Sequence, residues 1–129
     1  MEILASRMLI RPADYERSLA FYRDGVGLAI WREYGFGTVF FAGQSLIELA
    51  GHGRSDDADG SAFPGAIWLQ VRDIYETQRE LTQRGVPVAR DARQEPWGLH
   101  EMHVVDPDGV MLIFVQVPPE HPLRRDTRQ

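Results

Sequence analysis

Apolar and polar residues along this chain fall into short alternating runs and two helical stripes, and the order of these elements repeats. Ile3 to Arg11 reads as a strand stopped by Pro12. Asp14 stands as an N-cap before Tyr15 to Tyr22, where Tyr15, Leu19 and Tyr22 make one apolar stripe with Ala20 and Phe21 beside it. Gly25 and Gly27 close that helix. Leu28 to Glu33, Phe36 to Phe41 and Leu46 to Ala50 follow as three strands, with turns at Tyr34-Gly35 and Ala42 to Ser45. After a polar stretch the order restarts. Ala66 to Val71 is a strand, Asp73 caps a helix ending near Arg84 and Gly85, and Val86 to Arg90, Leu99 to Val105 and Val110 to Val117 are strands. Asp14 and Asp73 stand at the same spacing from Arg7 and Ala66, so the pattern is βαβββ twice.

The last hairpin is the most sharply specified element. Asp106-Pro107-Asp108-Gly109 separates Val104-Val105 from Val110 to Val117, with Pro fixing φ and Gly able to take a left-handed conformation. The expected organisation is a single domain over 1–117, made of modules 3–51 and 64–117, a mobile linker at 52–63 and a frayed or extended tail at 118–129. The 129 residues are 43% hydrophobic, enough for one α+β domain with a core. Zero cysteines exclude disulfides, thiolate metal sites and a cysteine nucleophile. A formal charge of −5 argues against nucleic acid or an anionic membrane as partner. No run is long enough to span a bilayer and no basic secretory start is present, so a cytoplasmic protein is expected.

The stretch Asp14 to Tyr22 with Gly25-Val26-Gly27-Leu28, and the later Asp106-Pro107-Asp108-Gly109, resemble the glyoxalase / bleomycin-resistance / extradiol-dioxygenase (vicinal oxygen chelate) superfamily. Glu95-Pro96-Trp97-Gly98 resembles its bleomycin-binding branch. The resemblance implies paired βαβββ modules curling into a cup-shaped mixed sheet, a homodimer, and ligands in the cups. In metal-dependent members the ligands come from the first and last strands of each module, and by spacing they fall here on Arg7, Glu48, Ala66 and Ile113. Only Glu48 is a good donor, so no metal and no cofactor is expected. His100-Glu101-Met102-His103 is not a helical zinc motif; alternation puts Glu101 and His103 on one strand face and His100 on the other. His52 and His121 are expected in solvent.

Two readings of Arg7 and Glu48 stand side by side: a pair that merely neutralises two buried charges, or a polar anchor for a ligand carbonyl or hydroxyl. By strand parity Ile67, Leu69 and Val71 pack under the helices, while Ala66, Trp68 and Gln70 face the cup, joined by Leu9, Arg11, Leu46, Met111, Ile113 and Val115. Trp68 either stacks on an aromatic ligand or fills core, and Trp97 is a rim lid or a dimer contact. Trp31, Tyr34, Phe36, Phe40 and Phe41 are expected mostly in core or interface, with one or two lining the ligand cleft. No nucleophile–base set and no phosphate loop is present. The expected function is therefore a small-molecule binding protein that sequesters a hydrophobic or aromatic, antibiotic-like compound without turnover, with no catalytic residue. Its ligand set would be Arg7, Leu9, Glu48, Trp68, Gln70, Trp97, His103, Met111 and Ile113. The alternative is a metal-independent isomerase, lyase or hydrolase with Glu48 or His103 as general base.

Overall fold

The capping and turn residues anticipated in the sequence do set the frame. A computed structural model describes residues 1–51 and 65–122; the expected linker and the end of the tail lie outside the described residues. The chain divides into two units, Met1–Ala62 and Phe63–Gln129. The first contains β1 (Met8–Ile10), α1 (Tyr15–Ala20), β2 (Ile30–Tyr34), β3 (Gly37–Ala42) and β4 (Ser45–Ala50), in the sheet order β1-β4-β3-β2. The second contains β5 (Ala66–Gln70), α2 (Ile74–Gln83), β6 (Val88–Gln94), β7 (His100–Val105) and β8 (Met111–Gln116), in the order β5-β8-β7-β6. In each, the first strand runs parallel to the last and the remaining pairs are antiparallel. The repeat extends to register: Leu9 pairs with Glu48, and Trp68 with Ile113.

Both helices start as the sequence dictates. The Asp14 carboxylate accepts from Arg17 N at 3.1 Å, and that of Asp73 accepts from Tyr75 N and Glu76 N. Each helix seals one sheet face. In the first unit Leu19 and Tyr22 cover Ile10, Phe40, Ile47 and Leu49; in the second Ile74 and Leu81 cover Ile67, Met102, Val104, Leu112 and Phe114. Each such side chain contributes about 1.5–3 kcal/mol by leaving water. The last hairpin closes through Asp106, whose Oδ1 accepts from Asp108 N and Val110 N, both at 2.8 Å, while Gly109 takes φ 89°.

The elements that differ most from expectation are three. β1 is shorter than Ile3 to Arg11, because β4 offers register partners only to Met8–Ile10. The first helix runs on past Tyr22 as a wider π-helical turn, Phe21–Val26, ended by Gly27 at φ 84°. β6 begins late, since Val86 N is spent on Leu81 O at the end of α2, and runs on to Gln94 because β7 continues to supply partners. Its register slips on both sides of Arg90. Among the described residues no helix is long and apolar enough to cross a membrane.

Candidate functional site

Direct cross-strand partners share a sheet face, which assigns the helix-free face of each unit. In the first, Leu9, Glu48, Val39 and Arg32 form one row across β1-β4-β3-β2. In the second, the equivalent row is Trp68, Ile113, His103 and Arg90, flanked by Gln70, Val115, Glu101 and Arg93 on one side and by Ala66, Met111 and Val105 on the other. The expected facing of Ala66, Trp68 and Gln70 away from the helix, and of Ile67 toward it, is what the pairing gives. Trp68 is 48% exposed and so does not fill the core of its unit.

Glu48 is the hub of the first unit. Arg7 Nη1 donates to its Oε1 at 2.9 Å, and the Tyr34 hydroxyl donates to its Oε2 in a very short contact. Burial first, then the hydrogen bond to Glu48 and its charge, push the Tyr34 phenol from its ordinary 10 up to about 12. The phenol can lie there because Gly37, its cross-strand partner, has no side chain. A Cβ at Gly37 would collide with the Tyr34 hydroxyl and ring and stand 2.6 Å from Leu49 O. The Arg7 guanidinium also sits over Trp31, 5.7 Å from its ring centroid. Of the aromatic residues expected in core or interface, Phe40 is core, and Trp31, Phe36 and Phe41 are exposed on the single chain. A cleft of about 400 Å³ bordered by Tyr15, Glu33, Tyr34 and Phe36 opens at the end of this sheet, and neither Arg7 nor Glu48 lines it.

The second unit holds a denser polar cluster. Glu101 and Glu95 are both buried. Glu101 Oε2 accepts from Trp97 Nε1 at 2.7 Å, so the exposed Trp97 ring is tied down over β7. Glu95 receives Arg93 Nε at 3.3 Å and makes a very close ion pair with Arg90. Burial would raise the Glu95 carboxyl, but the hydrogen bonds from Arg93 and Arg90 outweigh it and hold it below the usual carboxylate range. Arg90 Nη2 also donates to Glu101 O at 2.9 Å, yet its buried Nε–H meets no acceptor among the described residues. An orphaned buried donor costs about 1–3 kcal/mol. Half-buried His103 is pushed below the ordinary imidazole range by burial and then by the Arg90 charge, against the opposing pull of Glu101 and Glu95. That direction favours the neutral imidazole, the form that can take a proton. His100 lies on the other face, with Nδ1 2.8 Å from the Tyr75 hydroxyl. His121, expected in solvent, instead contacts Trp97 O through Nε2 at 3.2 Å and packs beside Gly98. His52 lies outside the described residues.

Sequence reading did not single out Tyr34 as a partner of Glu48, nor Gly37, Arg90 or Arg93, and it took Glu95 only as part of the Glu95 to Gly98 resemblance. A glycine inside an alternating strand was the available signal for Gly37, since it marks a close approach. The four positions where the resemblance implies metal ligands do not fit a metal. Arg7 brings a fixed cation onto Glu48, and Ala66 and Ile113 offer no donor atom. No group of three or more His, Cys, Asp or Glu among the described residues is arranged to hold an ion.

Two repeated βαβββ units, each a four-stranded mixed sheet with a helix on one face, define an α+β protein of the vicinal oxygen chelate fold. The profile of the Glyoxalase/Bleomycin resistance protein/Dioxygenase superfamily matches residues 5–114, and the chain belongs to that superfamily. It is 33% identical over 120 residues to a protein of Synechocystis named "Probable lactoylglutathione lyase", covering 84% of this chain and 91% of the other. It is 31% identical over 127 residues to the lactoylglutathione lyase of Haemophilus influenzae, covering 90% and 93%. The solved lactoylglutathione lyase of Agrobacterium tumefaciens superposes with a TM-score of 0.67 at 19% identity, over 90% of this chain and 96% of that one. These relatives correct two expectations. They carry the name of a lyase rather than of the bleomycin-resistance branch, and they overturn the reading of a sequestering protein without turnover.

Proposed function

We propose that the chain is an enzyme of the lyase or isomerase kind that moves a proton at a carbon next to a carbonyl, without a metal at the superfamily's ligand positions, with His103 as general base. The observation that carries this is the place of His103: a half-buried imidazole set in the row Trp68, Ile113, His103, Arg90 on the sheet face away from the helix, where burial favours its neutral form. Glu48 is the weaker candidate, because both its oxygens already accept, from Arg7 and from Tyr34. The relatives' names point to 2-hydroxyacyl thioesters such as lactoylglutathione as the substrate class. Trp68, Met111 and Ile113 supply an apolar wall for the acyl part. The exposed Leu9, Trp31 and Phe41 of the first unit support assembly with a second copy of the chain.

The test follows the thioester absorbance of lactoylglutathione and, in D2O, loss of its α-proton signal by NMR. Wild type exchanges or consumes the compound and His103→Gln does not. Absence of exchange with lactoylglutathione and with a panel of 2-hydroxyacyl and 2-oxoacyl thioesters would sink the reading. Activity that survives chelation, with no rise in Tm on adding zinc or nickel, separates this chemistry from a metal-dependent one; activity that appears only with stoichiometric metal refutes it.

A further inference from the structure

A base alone leaves negative charge on the carbonyl oxygen, and the geometry points to the group that receives it. We propose that Arg90 is a second catalytic residue, the guanidinium that binds the carbonyl oxygen of the substrate and carries its charge when His103 takes the proton. This rests on the reading of His103 as base. Arg90 and His103 are register partners on adjacent strands and so project from the same face of the second sheet. The strand bulges on either side of Arg90, the device by which a strand re-aims one side chain beside a site. Glu95 and the carbonyl of Glu101 clamp the guanidinium, and Arg93 shares Glu95, so the cation is held in place rather than swinging in solvent. About a quarter of the side chain stays accessible, 26%, while its Nε–H is buried without an acceptor among the described residues.

The step balances without any further reagent. The C–H bond next to the carbonyl breaks, its proton goes to the free His103 nitrogen, and its electron pair forms a C=C bond while the carbonyl oxygen becomes an enolate. Arg90 stabilises that oxygen as the charge develops. Return of the proton from the imidazolium to the former carbonyl carbon, with the 2-hydroxyl proton passing to the enolate oxygen, completes an isomerisation, and return to the original carbon in D2O gives exchange. A fixed cation at this place does what a Lewis acid would otherwise do, and it holds no proton that can be lost at working pH.

Three measurements on the full chain test it. Arg90→Gln should lower kcat about 100–1000-fold with little change in KM, Arg90→Lys should recover part of that, and millimolar guanidinium should partly rescue Arg90→Ala. His103 should titrate at higher pH by NMR in Arg90→Gln, because of the charged groups facing it (Arg90, Arg93, Glu95 and Glu101) a repulsive one is gone, while β5 and β8 present only Trp68, Gln70, Met111, Ile113 and Val115. Acetohydroxamate, a planar oxyanion mimic, should bind wild type and lose affinity at least tenfold in Arg90→Gln. A shifted His103 with unchanged kcat would refute the assignment. If wild type turns over nothing, the reading of His103 falls, and acetohydroxamate binding then decides Arg90 separately: equal affinity in both proteins overturns it. Thermal melts of Arg90→Lys and Arg90→Gln report folding, and a kcat loss that tracks Tm across both would also overturn it.

Discussion

Gly37→Ala is the smallest change that tests how the first unit holds its carboxylate. The added methyl group would overlap the Tyr34 hydroxyl and ring carbon and lie 2.6 Å from Leu49 O, well inside contact distance. The ring can yield by rotating away, but the Leu49 carbonyl belongs to β4 and cannot move without disturbing the sheet. Overpacking of this kind costs about 1–3 kcal/mol. If Tyr34 swings out, the hydrogen bond to Glu48 is lost as well, and a bond to a charged group is worth about 1.5–3 kcal/mol. The variant should therefore lose about 2.5–6 kcal/mol, read as a drop in urea midpoint at constant m and in Tm of about 4 °C per kcal/mol for a domain of this size. Tyr34→Phe removes the hydrogen bond and keeps the ring. Tyr34→Ala removes both, and the cost of Gly37→Ala in that background should fall to the contribution of Leu49 O alone. A coupling energy above about 1 kcal/mol in this cycle is expected. Strict additivity, or a neutral Gly37→Ala, would refute the claim that glycine is there to admit the phenol.

Two further outcomes follow from the same geometry. Because the folded Tyr34 phenol titrates near 12 instead of 10, the native state holds a proton that the unfolded chain releases first; this contribution to stability is complete below pH 10 and fades as pH rises through about 12, and Tyr34→Phe should lack that component in alkaline melts. Asp106→Ala should cost about 2–3 kcal/mol by leaving the amides of Asp108 and Val110 without their acceptor in a partly buried turn, measured by urea denaturation.

The frame of the fold was legible because it is written in local chemistry. Asp14, Asp73, Gly27, Gly85 and the Asp106 to Gly109 turn each act within a few residues of themselves, and strand parity carried Trp68 and Gln70 to the correct face. Arg90 was not legible. Val88-Ala89-Arg90-Asp91-Ala92-Arg93-Gln94 is polar on both faces, so the pattern reads as a solvated edge, and the two bulges that re-aim Arg90 depend on pairing with β7. Glu95 was read only as part of the Glu95 to Gly98 motif; its burial and its pairing with Arg90 and Arg93 depend on where β6 places those arginines. The functional expectation failed for a different reason. Missing metal donors at Arg7, Ala66 and Ile113 were taken to mean missing catalysis, but loss of an ion removes one way of stabilising charge and leaves others open.

The two units carry different side chains on one backbone plan, and the row equivalence makes the proposed site testable. Leu9, Glu48, Val39 and Arg32 correspond strand for strand to Trp68, Ile113, His103 and Arg90. The first row places its carboxylate on the last strand; the second leaves that position apolar and puts its titratable group one strand further out. Ile113→Glu would give the second row both. Direct partners on antiparallel strands hold their Cβ atoms about 5 Å apart, and two unit charges at that distance attract by about 3 kcal/mol at an effective dielectric constant near 20. Part of that is lost to solvent screening, so His103 should titrate about one unit higher, moving the acid limb of kcat/KM upward by the same amount. The opposing Arg90 charge stays in place, so an unchanged His103 titration in a folded Ile113→Glu protein would mean that Ile113 and His103 do not face each other across the strand pair, and the site as drawn would be wrong.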